Sequence, residues 1–130
     1  MTGNSILLDT NIVSALLEGD ALLADKIDAT ENIFVPLIVL GEMYFGAYNS
    51  TRISKNITGI LLIKEQYKIL LPDAITAEIY GEVKTSLRMK GKAIPENDIW
   101  IATLSIQHNF LLISRDAHFK EVDHLKLEAW

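Results

Sequence analysis

Four short apolar runs, each followed by a longer stretch with helical periodicity, constrain this chain most. They are Ile6-Leu7-Leu8, Ile33-Phe34-Val35, Ile69-Leu70-Leu71 and Leu111-Leu112-Ile113-Ser114, with Leu125 to Leu127 as a candidate fifth. Strands that alternate with helices over one short chain imply an α/β fold: a mainly parallel sheet, covered on both faces and joined by right-handed crossovers. Ligands of such sheets bind at the carboxyl ends of the strands.

The intervening segments read as helices. Asn11 to Leu17 carries Ile12, Ala15 and Leu16 at helical spacing, and Glu18-Gly19-Asp20 separates it from a second piece, Ala21 to Ala29. Pro36 suits the first turn of a helix running to about Tyr48. Thr51 or Ser54 is the expected cap of the next, whose apolar positions are Ile57, Ile60, Leu61 and Leu62. From Asp73 to about Lys90, Ile75, Ile79, Val83 and Leu87 recur every four residues and predict one core-facing stripe. Glu96 to Asn109 is the last helix.

A length of 130 residues, 49% of them hydrophobic, matches one domain spanning 1–130 with a core of its own. Met1 to Ser5 shows no charged-then-apolar leader, and the longest apolar run, Ile33 to Leu40, is far short of a membrane span. The absence of cysteine excludes disulfides and thiolate metal sites and fits a cytoplasmic protein. A net charge of −5 argues against a surface that grips nucleic acid over its whole extent, since such binding rests on Lys and Arg contacts to phosphate. Acids gathered at a metal site would contribute to that negative charge.

Four acids stand out by position. Asp9 ends the first apolar run, where a carboxylate is costly unless compensated, although Asp also caps helices. Glu42 has Ile38, Val39, Phe45 and Gly46 three and four residues away and is the only charge in its helix; the plainer alternative is a rim Glu reaching water. Asp98 lies in a helix first turn, where the dipole alone would favour an acid, yet it sits above Ile101, Ala102 and Ser105. Asp116 follows the Leu111 to Ser114 run by two residues and would serve equally as a turn residue. Their conjunction is what points to function: two acids at carboxyl ends of parallel strands and two on helices starting from the same edge would converge on one cleft. Clustered carboxylates there need cations, and oxygen ligands suit Mg²⁺ or Mn²⁺. One or two such ions would support phosphodiester hydrolysis with no Cys or His.

In order and spacing, Leu7-Leu8-Asp9-Thr10-Asn11, Glu42 within Ile38 to Met43, Asn97-Asp98-Ile99-Trp100-Ile101-Ala102 and Ser114-Arg115-Asp116-Ala117-His118-Phe119 resemble the motifs of PIN-domain ribonucleases. The nearest likeness is to VapC-type toxins of toxin–antitoxin pairs, over essentially the whole chain. The resemblance implies a three-layer α/β/α fold and Mg²⁺- or Mn²⁺-dependent endoribonuclease activity on an RNA substrate. It also implies a homodimer, inhibited by a small antitoxin that inserts a peptide into the active-site groove. Carried over by position, Asp9, Glu42, Asp98 and Asp116 would be the catalytic, metal-binding acids. Thr10, Asn11 and Ser114 would orient ligands or water beside them. Ser114 stands where the family more often has Thr, and the Gly91 to Pro95 loop falls in one of its variable regions.

Other classes start from the same strand. A phosphatase of the haloacid-dehalogenase type requires a second Asp where this chain has Asn11, and a phosphoacceptor receiver wants adjacent acids after its first strand. A catalytically weak RNA-binding or autoregulatory module is the non-enzymatic alternative, against which the intact set of four acids argues. Lys84, Arg88, Lys90 and Lys92 form the densest basic cluster and are candidate RNA contacts, ahead of Arg52 and Lys55. Glu78 is an outside candidate for the acidic site, and Glu82 belongs to a solvated face. His108 is expected to act as a helix-dipole partner and His118-Phe119 as packing, whereas His124 carries no signal. Trp100 and Trp130 are expected to pack rather than to stack on bases.

Overall fold

The first apolar run forms the centre of the sheet. β1 (Ser5–Leu8) pairs in parallel with β2 (Asn32–Pro36) on one side and β4 (Leu111–Ile113) on the other. β3 (Lys68–Leu70) and β5 (Leu127–Glu128) complete a five-stranded, all-parallel sheet of order β3-β2-β1-β4-β5. Ile6, Leu7 and Leu8 are buried, as a central strand covered on both faces requires. The computed structural model describes residues 5–130, so the Met1–Asn4 part of the segment inspected for a leader lies outside it.

Helices α1 (Thr10–Leu17) and α2 (Ala21–Asp28) connect β1 to β2, while α3 (Leu37–Tyr48) and α4 (Ile53–Gln66) connect β2 to β3. α5 (Ala74–Met89) and α6 (Glu96–His108) then carry the chain back across the sheet to β4. The direction of travel reverses after β3, and right-handed crossovers therefore put α5 and α6 on the face opposite α1 to α4. The result is the three-layer α/β/α arrangement. Among the described residues, no helix is long and apolar enough to cross a membrane.

Several boundaries differ from expectation for local reasons. β3 sits one residue earlier than Ile69 to Leu71, because Pro36, the last residue of β2, pairs with Leu70 and leaves Leu71 exposed. β5 is likewise set by β4: Leu112 and Ile113 pair with Leu127 and Glu128, while Leu125 lies before the strand. Pro36 closes β2 and occupies the N-cap of α3 rather than its first turn. Neither Thr51 nor Ser54 caps α4. Arg52 holds that position without a side-chain bond, and the Ser50 hydroxyl accepts from the Arg52 N–H at 3.3 Å and the Asn56 amide at 2.9 Å. Within α4, Ile60 and Ile63 are buried, whereas Leu61 and Leu62 face solvent.

The four-residue repeat in α5 overestimates its stripe. A step of four residues overshoots a helical turn by about 40°, so three steps rotate the repeat by about 120°. Leu87 and Val83 reach the core, Ile79 is half-buried, and Ile75 is 57% exposed. Thr76 takes the buried place instead, inside a capping box with Asp73. Leu87→Ala is therefore expected to cost about 2–5 kcal/mol in urea unfolding, and Ile75→Ala no more than about 0.5 kcal/mol.

Candidate functional site

The sheet order fixes where a site can form. From β1 the chain builds outward through β2 and β3, then returns to add β4 on the other side of β1. The carboxyl ends of β1 and β4 thus flank the point where the strand order reverses, and the crevice of an open α/β sheet opens there. Asp9 follows β1 directly, and its N–H still bonds to the Ile113 carbonyl at 3.1 Å. Ser114 follows β4, with Asp116 two residues on.

One hydrogen-bonded chain links all of the predicted residues at the sheet edge except Asp98. The Ser114 hydroxyl donates to Asp9 Oδ2 at 2.6 Å and accepts the Asp116 N–H at 3.0 Å. Asp9 Oδ1 accepts the Thr10 N–H at 2.8 Å, and the Thr10 hydroxyl donates to Glu42 Oε1 at 2.9 Å. Asn11 holds the loop after β4: its carbonyl oxygen accepts the Arg115 N–H at 3.3 Å, and its amide reaches the Ser114 hydroxyl at 3.5 Å. Asp98 enters from the first turn of α6, a helix buried over most of its surface, and is itself only 9% exposed. Asp9 caps α1 and Asp116 caps the 3₁₀ turn Ala117–Glu121. Capping and clustering are therefore not alternatives at either acid.

Glu42 is half-buried rather than enclosed by an apolar face. Val39 beside it is buried, but Phe45 is 72% exposed, and the two helical neighbours mark the border between core and solvent. Glu42 lines a cleft with Thr10, Ile38, Gly41, Phe45 and Asn97. Asn97, one residue before Asp98, is a site neighbour that helical spacing alone did not single out.

Burial, with repulsion between neighbouring carboxylates behind it, raises the proton affinity of Asp98, Asp9 and Glu42. Burial pushes the Asp98 carboxyl up to about 6, and the charges of Asp9, Asp116 and Glu42 add to the push while His118 opposes it. Asp9 is raised by burial against the opposing bonds from Ser114 and Thr10, with the Asp116 charge adding to the rise. Glu42 is raised by burial, offset in part by Thr10 and Asn97.

His118 departs from the packing role expected of it. Phe119 is buried, but the His118 side chain is 52% exposed and its Nδ1 lies 3.1 Å from Asp116 Oδ1 and 3.4 Å from Asp98 Oδ2. One ligand atom each from Asp98, Asp116 and His118 falls within 4.8 Å of the others. A tight turn, in which Asp116 Oδ1 accepts the His118 N–H at 2.9 Å, brings this residue back, and periodicity carries no signal for it.

The remaining candidates lie elsewhere. Glu78 is exposed on α5 and is not among the acids whose charges act on Asp98. Lys84 is paired with Glu96 at 3.1 Å and Lys90 with Asp123 at 3.0 Å, while Arg88 and Lys92 are exposed and have no ion-pair partner among the described residues. Trp100 stacks on Tyr80 with ring centroids 3.9 Å apart, and Trp130 packs against the core edge, as expected of anchors. His108 ends α6 with its Nε2 buried and without a hydrogen-bond partner, against the ring of Phe110. His124 occupies a left-handed turn.

Comparison with known proteins assigns the chain to a family. The family model for the PIN domain matches residues 6–125. The chain belongs to the PIN-domain family. Ribonuclease VapC2 of Haemophilus influenzae is 32% identical over 127 residues, covering 95% of this chain and 96% of that protein. Ribonuclease VapC1 of the same species is 26% identical over 129 residues, with the same coverage. The solved structure of VapBC2 from Rickettsia felis, bound to a DNA fragment from their promoter, matches 96% of this chain and 98% of the compared one. Its TM-score is 0.91 at 27% identity.

The raised Asp98 gives a pH-dependent expectation. A carboxyl whose folded value lies above its unfolded one contributes stability below the unfolded value and loses it as pH rises through the folded one. For this group the metal-free protein is therefore destabilised as pH climbs from about 4 to above 6. Asp98→Asn, neutral at every pH, is expected to raise the melting temperature of metal-free protein by a few degrees at pH 7.5. The gain should shrink toward zero at pH 4, and differential scanning calorimetry across that range checks it.

Proposed function

We propose that this PIN domain is an endoribonuclease that hydrolyses RNA phosphodiester bonds with Mg²⁺ or Mn²⁺, and that it is the toxin of a toxin–antitoxin pair. The observation that carries this reading is the gathering of four acids at one sheet edge with no Lys or Arg side chain bonded to them among the described hydrogen bonds. Such a donor set fits a hard divalent cation. Asp9, Asp98 and Asp116, with Glu42 at the rim, would hold it. When bound, the cation supplies the positive charge that lets these acids stay ionised and the Lewis acidity that hydrolysis at phosphorus needs.

The chain's other residues prepare that edge. Ser114 fixes Asp9 and Asp116 relative to each other, Thr10 fixes Asp9 relative to Glu42, and Asn11 keeps the Arg115 loop from drifting. A polyanionic substrate gains nothing from an acidic edge alone, so its phosphates need cationic contacts nearby. Arg88 and Lys92, which have no ion-pair partner among the described residues, are freer for that than Lys84 and Lys90.

The names of the relatives support the ribonuclease role, and the VapBC structures among the structural neighbours support the toxin role and an antitoxin partner. Phe45, which lines the cleft with Glu42, together with exposed Tyr48, Leu61 and Leu62, offers apolar surface suited to protein contacts. We assign that surface to the antitoxin and a second copy of the chain, acting in the cytoplasm.

RNA cleavage in Mg²⁺ or Mn²⁺ should fall by about 100-fold or more in Asp9→Asn and Asp98→Asn, and vanish in EDTA. Ser114→Ala should lose about 10–100-fold, as expected when a group orienting a ligand is removed. Cleavage that persists in EDTA, or a fully active Asp9→Asn protein, would contradict the reading.

A further inference from the structure

His118 brings an imidazole nitrogen to the acidic edge of the sheet. Its Nδ1 lies 3.1 Å from Asp116 Oδ1 and 3.4 Å from Asp98 Oδ2. A ring nitrogen carries at most one proton and can serve only one of two acceptors well. Asp116 Oδ1 already accepts the His118 backbone N–H at 2.9 Å. The spacing nevertheless has a natural meaning. Two ligands at right angles on a cation with bonds of about 2.1 Å stand about 3 Å apart. The separations from Nδ1 to the two oxygens are close to such edges, and all three donor atoms lie within 4.8 Å of one another.

The turn that carries the imidazole is well fixed. Phe119, the next residue, is buried in the core, and Asp116 caps the turn from the other side. The ring is half exposed, so it can adjust to an ion without disturbing packing.

Resting on the metal-dependent reading above, we propose that His118 is a nitrogen ligand of the cation held by Asp98 and Asp116, and that it biases this site toward Mn²⁺ over Mg²⁺. Imidazole is a favourable ligand for transition-metal ions, whereas Mg²⁺ takes oxygen donors and keeps its waters. An all-oxygen site would lack this preference. His118 is thereby a selectivity residue, distinct from the acids that any divalent ion requires.

The test uses metal-free full-length protein titrated with MnCl₂ and examined by pulsed EPR, with MgCl₂ binding followed in parallel by calorimetry. Wild type is expected to show nitrogen modulation from a directly bound imidazole, and His118→Ala to lose it while still binding Mn²⁺. Affinity for Mn²⁺ should fall about tenfold or more and affinity for Mg²⁺ less than about threefold. Mn²⁺ bound by wild type without imidazole modulation, or modulation that survives in His118→Ala, overturns the ligand role and leaves the ribonuclease reading standing. Wild type that binds neither ion overturns both. The wild-type spectrum decides the matter even if His118→Ala fails to fold.

Discussion

The cost of burying carboxylates side by side at the carboxyl edge of the sheet is the constraint around which the structure is arranged. Asp9 is 4% exposed and Asp98 9% exposed, and burial raises the proton affinity of both. The chain answers with neutral donors: the Thr10 N–H, the Thr10 and Ser114 hydroxyls and the His118 N–H. Arg115, the nearest strong cation in sequence, turns away to Asp20 at 2.9 Å and to the Trp130 carbonyl at 3.0 Å. Neutral donors fix geometry without cancelling charge. A site built this way is held in shape yet left short of positive charge, which is the condition under which a divalent ion binds.

The fold makes that arrangement affordable by using two of the acids twice. Asp9 gives Oδ1 to the start of α1 and Oδ2 to Ser114, while Asp116 starts the 3₁₀ turn. Each carboxylate oxygen has more than one lone pair, so an oxygen that anchors a helix start can still face the crevice. Positioning by caps and by strand register leaves little freedom in the carboxylates of Asp9 and Asp116. α6 adds Asp98 from a helix buried on most sides, so its backbone is equally fixed.

How much of this was legible in the sequence depended on the kind of regularity involved. The strands were visible because a parallel strand covered on both faces is apolar throughout, as in Leu7 and Leu8 or Leu112 and Ile113. Asp9, Asp98 and Asp116 are visible as charges beside such runs, their predicted places at one sheet edge group them, and the resemblance to PIN-domain ribonucleases points to the same set. The strand ends were not, since Leu71 and Leu125 stay outside the sheet only because their neighbours' register ends first. Ile75 misled because a repeat of four drifts around a helix of 3.6 residues per turn. His118 reads as packing in the sequence because its position at the site comes from a tight turn after β4, where no periodic pattern exists. The pairing of Lys84 and Lys90 with Glu96 and Asp123 joins distant segments and has no local signature.

Diffraction from crystals soaked in MnCl₂, recorded with the anomalous signal of manganese, tests the central claim most directly. The account predicts an anomalous peak within about 2.5 Å of carboxylate oxygens of Asp98 and Asp116, with Asp9 in the same cluster and a second peak, if present, about 4 Å away. Ordered manganese bound elsewhere, with no peak among these acids at saturating concentration, would contradict it.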